Sequence, residues 1–147
     1  MPQIIHLVGI KASAEQVYQA LTTDAGLMTW WTNDVTGAGA IGSTIKFRFN
    51  GAGPDFTVSQ LIEDKLVGWK HSGDVPQTWI GTSILFEIDE TIEQTMVKFT
   101  HSNWLESTNF TAHCSTKWAV FLLSLKDALE SNKGKPFPHD VQIDHSK

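Results

Sequence analysis

The chain has one cysteine, Cys114, one tyrosine and only 11 lysine plus arginine residues among 147. A lone cysteine excludes an internal disulfide and a cysteine-based structural zinc site, so stability has to come from packing. The shortage of cations, with a formal net charge of -5, argues against nucleic acid as a partner. Binding driven by counterion release needs a basic surface to neutralise phosphates. No stretch approaches the roughly 20 apolar residues that cross a bilayer, so no membrane span is expected. The start of the chain, Met1-Pro2-Gln3-Ile4-Ile5-His6, lacks the basic region and long apolar run of a secretory signal, which gives a cytoplasmic expectation.

Several chemical signatures are missing too. The six histidines include no HExxH pattern and have no cysteine partner at zinc spacing, so no metal is expected. A GxSxG elbow is absent, which leaves a serine hydrolase without support. Gly37-Ala38-Gly39-Ala40-Ile41-Gly42 matches the dinucleotide fingerprint. That motif works only where a helix N-terminus follows to hold the pyrophosphate, and here a strand pattern follows. The glycines therefore read as a loop, and no cofactor is expected.

What remains is a globular balance of 41% hydrophobic and 18% charged residues, enough for one core in a chain of this length. Ile4–Ile10 reads as a strand. Ser13-Ala14-Glu15-Gln16 is a capping-box pattern that opens a short helix, and a second helical turn is expected over residues 24–31. The period then changes to two. Ile45, Phe47 and Phe49 alternate with Lys46 and Arg48. Phe56, Val58 and Ile62 mark the next strand, Leu66–His71 another, then Ile80, Thr82, Ile84, Phe86 and Ile88, and finally Val97, Phe99 and His101. Phe110, Cys114, Trp118, Phe121, Leu122, Leu125 and Leu129 recur at steps of three and four, which predicts a C-terminal helix of about five turns with one apolar face. Gly134 and Pro136 stop it. The expected architecture is α+β: a curved six-stranded antiparallel sheet in the order β-α-α-β-β-β-β-β-α. One domain over residues 1–135 is followed by a C-terminal tail over 136–147, expected to be loose after Pro138.

Four stretches carry a family resemblance: residues 17–23 leading into Leu27-Met28-Thr29-Trp30-Trp31, Ile41-Gly42-Ser43-Thr44-Ile45-Lys46-Phe47, His101-Ser102-Asn103-Trp104, and residues 118–130. In order and spacing they resemble the single-domain bacterial relatives of the activator of Hsp90 ATPase. These belong to the helix-grip superfamily that includes START domains and the major birch pollen allergen. The resemblance implies a helix-grip fold with a pocket between sheet and C-terminal helix, which relatives use for lipids, polyketides or other apolar molecules. This sequence has Asn103 where such relatives commonly have glycine, so the local backbone there is expected to differ.

The six tryptophans supply flat apolar faces suited to ring-shaped ligands. The expected ligand-binding set comprises Trp31, Phe47, Phe49, Trp69 and Trp79, together with Phe86, Phe99, His101, Trp118 and Leu122. The expected partner is a small hydrophobic molecule, aromatic or polycyclic, lipid- or polyketide-like, bound with weak chemistry or none. His101 shares a strand face with Phe99, so an inward imidazole could orient a ligand or serve as a general base in a cyclase, hydrolase or isomerase. No orienting carboxylate is identifiable for it. A protein-interaction module directed at a chaperone is the third reading, with no motif of its own.

Overall fold

The computed structural model describes residues 1–145. Ser13 opens the first helix: its hydroxyl accepts from the Gln16 N–H at 3.1 Å, and Gln16 Oε1 accepts from the Ser13 N–H at 3.0 Å. This capping box satisfies donors that a helix start leaves orphaned. It sets α1 (Ala14–Thr22) after strand β1 (Ile4–Ile10). Helix α2 is a single turn, Asp24–Leu27, so Trp30 and Trp31 lie past its end instead of within it.

The antiparallel sheet has seven strands, one more than the sequence pattern gives. The addition is β2 (Val35–Thr36), a pair of residues too short to show alternation. Then follow β3 (Thr44–Phe47), β4 (Asp55–Ile62), β5 (Leu66–His71), β6 (Ser83–Glu90), β7 (Thr95–Ser102) and the long α3 (Asn109–Ser131). The order across the sheet is β1-β7-β6-β5-β4-β3-β2. The excursion through α1 and α2 carries the chain from one edge of the sheet to the other. A strand does follow the glycine-rich loop. Gly37, at φ +94°, has no room for a Cβ, which would meet the Thr44 carbonyl oxygen at 2.0 Å.

Three local expectations change. The register shifts between Val58 and Gln60, so Phe56 and Val58 point inward while Ile62 is turned out to solvent. A bulge inverts which face every later side chain occupies. The strand expected from Ile80 begins at Ser83, because Gln77–Trp79 forms a 3-10 turn and Gly81 sits at positive φ. Phe49 falls beyond the end of β3, in an isolated bridge to Ala52.

Helix α3 follows the predicted stripe, with Cys114, Trp118, Phe121, Leu122 and Leu125 buried against the sheet. Phe110, at its first turn, is partly exposed. The inner sheet face contributes Phe47, Phe56, Val67, Trp69, Phe86, Val97 and Phe99, all buried. Removing each such side chain from water contributes roughly 1.5–3 kcal/mol, which makes this layer the main source of stability. The segment after α3 makes several contacts with the domain. Phe137 N–H donates to the Trp31 carbonyl at 2.8 Å, and its own carbonyl accepts from Asn33 at 3.2 Å. Asp140 is buried and pairs with Lys117. Residues 146–147 of the expected tail lie outside the described residues.

Candidate ligand-binding site

Trp31 stands where the sheet, α3 and the tail converge. Its ring lies 4.2 Å from Phe47, 4.9 Å from Trp118 and 5.8 Å from Phe49 by centroids, and is parallel to Trp69 within 2°. Trp118, from α3, stacks on Trp79 at 6.0 Å and packs on Phe99 at 4.4 Å. These rings fill the middle of the space between sheet and helix. Beyond them, toward the N-terminal half of α3, the packing stops and a cavity of about 420 Å³ opens to solvent.

Three pieces of chain make the cavity walls. The β3–β4 turn supplies Phe49, Ala52, Gly53 and Pro54. The loop after β5 supplies Val75, Pro76 and Trp79. Helix α3 supplies Phe110, His113, Cys114, Lys117, Trp118 and Phe121, and Trp31 closes the floor. Of the ten residues the sequence nominates, Trp31, Phe49, Trp79 and Trp118 meet at this cavity. Phe47, Trp69, Phe86, Phe99, His101 and Leu122 are buried behind them and do not form its walls. The additional wall residues on α3 have a signal that was readable. Phe110, Cys114, Trp118 and Phe121 belong to the apolar stripe, and His113 and Lys117 run beside it at i, i+4 spacing. The turn residues carry no such signal, since only the tertiary fold brings them to α3.

His101 is completely buried. The Trp118 indole N–H donates to its Nδ1 at 3.2 Å, which assigns the ring proton to Nε2. Nε2 in turn donates to Thr82 Oγ1 at 2.9 Å, and that hydroxyl donates to the Trp79 carbonyl at 2.6 Å. Every donor and acceptor of the neutral imidazole is used. Burial, with a smaller contribution from His71, pushes its pKa down to about 3. A neutral, saturated and enclosed imidazole has no nitrogen to offer as a general base.

The polar groups at the cavity lie along one side. Lys117 donates to Asp140 Oδ2 and, at 3.1 Å, to the Val141 carbonyl, with its ammonium 5.1 Å above the Phe121 ring. His113 Nδ1 is 3.8 Å from Asp144 Oδ2. Beyond this pair of contacts the tail encloses a second, more polar hollow of about 360 Å³ that shares Phe49, His113, Lys117 and Phe121 with the first. Burial raises the Cys114 thiol to about 11, against a smaller lowering contribution from the Trp79 side chain. The thiol is therefore protonated at neutral pH and unsuited to nucleophilic attack. Among the described residues no cluster of histidine, cysteine and carboxylate could hold a metal ion, and no helix is long and apolar enough to cross a membrane.

The family model for activator of Hsp90 ATPase homolog 1-like protein matches residues 11–130. The chain belongs to that family. A structure of the Aha1 dimer from Colwellia psychrerythraea in solution is 64% identical, with a TM-score of 0.85, and covers 91% of this chain and 100% of its own. More distant likenesses include a Staphylococcus saprophyticus protein at 18% identity and TM-score 0.75, covering 90% of this chain and 95% of its own. A Mesorhizobium loti protein at 15% identity has a TM-score of 0.77 and covers 87% of this chain and 96% of its own. These two show the shared fold alone. No curated protein matches the chain. For this member of the Hsp90-activator-like family, the matched residues thus include every wall of the cavity.

Proposed function

We propose that the protein binds a small apolar molecule, aromatic or polycyclic, in the cavity at the N-terminal half of α3, and that it does so without catalysing a reaction. The observation that carries this reading is the wall itself: Trp31, Trp79, Trp118, Phe49 and Phe121 surround about 420 Å³ of space open to solvent. That volume lies within the range of small-molecule sites. At about 25 cal/mol per Å² of apolar surface, burying a two- or three-ring ligand supports micromolar affinity after ordering costs. The absence of a usable base at His101 favours binding over catalysis. A cytoplasmic setting accords with the single unpaired thiol.

The test is native mass spectrometry of the purified protein together with tryptophan-fluorescence titration against aromatic and lipid panels. Cys114→Phe places a ring in the cavity from a wall position and is expected to abolish saturable quenching while the protein stays folded. Unchanged affinity in folded Cys114→Phe would locate binding elsewhere.

A second reading concerns assembly, because the 64% identical relative is described as a dimer. We infer that this chain pairs with a copy of itself through the outer face of the sheet, where Ile5, Leu7 and Ile62 are exposed. Lys65 and Lys98 lie among Glu87 and Asp89 around the same hollow, a mixed charge pattern that a two-fold axis can make self-complementary. Light scattering should give a dimer for the native chain and a monomer for Leu7→Glu/Ile62→Glu. A native monomer would reject the pairing, and a dimeric variant would move it to another face.

A further inference from the structure

Trp79 is buried, at 7% exposure, and its indole N–H has no oxygen or nitrogen partner. Buried donors are nearly always paired, so an orphaned one needs an explanation. Other ring contacts of Trp79 are apolar or edge-on: it stacks on Trp118 and meets His101 at 85°. The side chain facing its N–H is that of Cys114, a sulfur that accepts only weakly. Both residues are cavity walls. A ligand oxygen that takes the place of the Cys114 sulfur would give that N–H a stronger acceptor.

Charge decides what would accept that hydrogen bond. Lys117 is the lysine at the cavity, and its ammonium is already held by the buried Asp140 carboxylate. His113 likewise faces Asp144. A ligand carboxylate would have to displace or crowd these carboxylates, whereas a neutral oxygen meets no such opposition. The apolar walls supply the remaining surface.

We propose that Trp79 is the polar anchor of the cavity and that it selects a neutral ring ligand bearing a carbonyl-type acceptor, donating its indole N–H to that oxygen. This rests on the cavity-binding reading above and specifies its ligand class.

Three probes of one shape separate the alternatives: fluorene without an acceptor, 9-fluorenone with a neutral carbonyl, and fluorene-9-carboxylate with an anion. Fluorenone is the more polar of the two neutral probes, so tighter binding could not arise from partitioning. Fluorescence titration of the native chain is expected to give fluorenone at least tenfold over fluorene and over the carboxylate. Trp79→Phe should bring the two neutral probes within about twofold of each other. A readout needing no variant is the ¹H–¹⁵N spectrum of the native protein, in which fluorenone should move one indole N–H signal downfield and fluorene should not. Equal binding of fluorene and fluorenone, with no indole shift, would overturn the anchor and leave the cavity reading intact. Tightest binding by the carboxylate would overturn it in favour of Lys117. No binding of any probe would remove the cavity reading and the anchor with it.

Discussion

Trp118 donates its indole N–H to Nδ1 of His101 at 3.2 Å, so a helix residue fixes the tautomer of a strand residue. The pair ties α3 to β7 through the middle of the aromatic layer. It also makes the imidazole a structural group whose value depends on staying neutral.

That dependence sets a pH response. The folded pKa is about 3 and the ordinary value 6.5, a depression caused first by burial and then by His71. Above about pH 6.5 the ring is neutral in both folded and unfolded chains, and stability is unaffected. As pH falls below that, the unfolded chain takes up a proton that the folded chain refuses. Stability should therefore drop by roughly 1.4 kcal/mol per pH unit, levelling off near pH 3. Chemical denaturation at several pH values checks this. His101→Gln, which can keep both hydrogen bonds without titrating, should lose most of that slope. An equal slope in the variant would assign the acid sensitivity to other groups.

Much of this fold was legible because period and composition agree. The α3 stripe, the capping box at Ser13 and the alternation in β3 and β7 each pointed to the element that forms. The misses have physical causes. Val35–Thr36 is too short for a period, the shift after Val58 reverses inside and outside for Ile62, and Gly81 delays β6. For the site, inward direction was readable but depth was not. Phe47, Trp69, Phe86 and Phe99 point inward as the pattern indicates, yet other rings cover them. Which inward residue meets empty space depends on where the β3–β4 turn and the loop after β5 come to rest, and no single segment encodes that.

Cys114 offers a direct probe of the cavity. Its thiol is buried and raised to about 11, so the reactive thiolate is scarce at neutral pH. Reaction with a disulfide reagent at pH 7.5 should be at least tenfold slower than in denatured protein. A saturating cavity ligand should slow it further by several-fold. Reaction at the denatured rate would show that the thiol is freely accessible.

Asn103 follows β7 directly. It adopts φ 68°, the left-handed region that glycine favours and that asparagine tolerates better than other side chains. Asn103 thus makes the backbone turn that carries the chain from β7 to buried Trp104. Asn103→Gly should leave stability within about 0.5 kcal/mol, while Asn103→Ala should lower it by about 1 kcal/mol. Thermal or denaturant melts distinguish these outcomes, and an alanine variant as stable as the native chain would mean the turn relaxes.

The segment after α3 makes the last prediction, because it touches residues that line the cavity. Phe137 bonds Trp31 and Asn33 through its backbone and packs edge-on against Phe49 at 5.2 Å. Asp140 holds Lys117 from a buried position. Removing residues 136–147 deletes these two backbone hydrogen bonds, an aromatic contact and the partner of a partly buried ammonium. At about 1 kcal/mol for each hydrogen bond and a similar amount for the ring pair, the loss is roughly 3 kcal/mol. Denaturant unfolding of the truncated chain should show it. Ligand titration should also change, since Phe49 and Lys117 lose the contacts that position them beside the cavity. A shortened chain with native stability and affinity would assign the tail no part in either the core or the site.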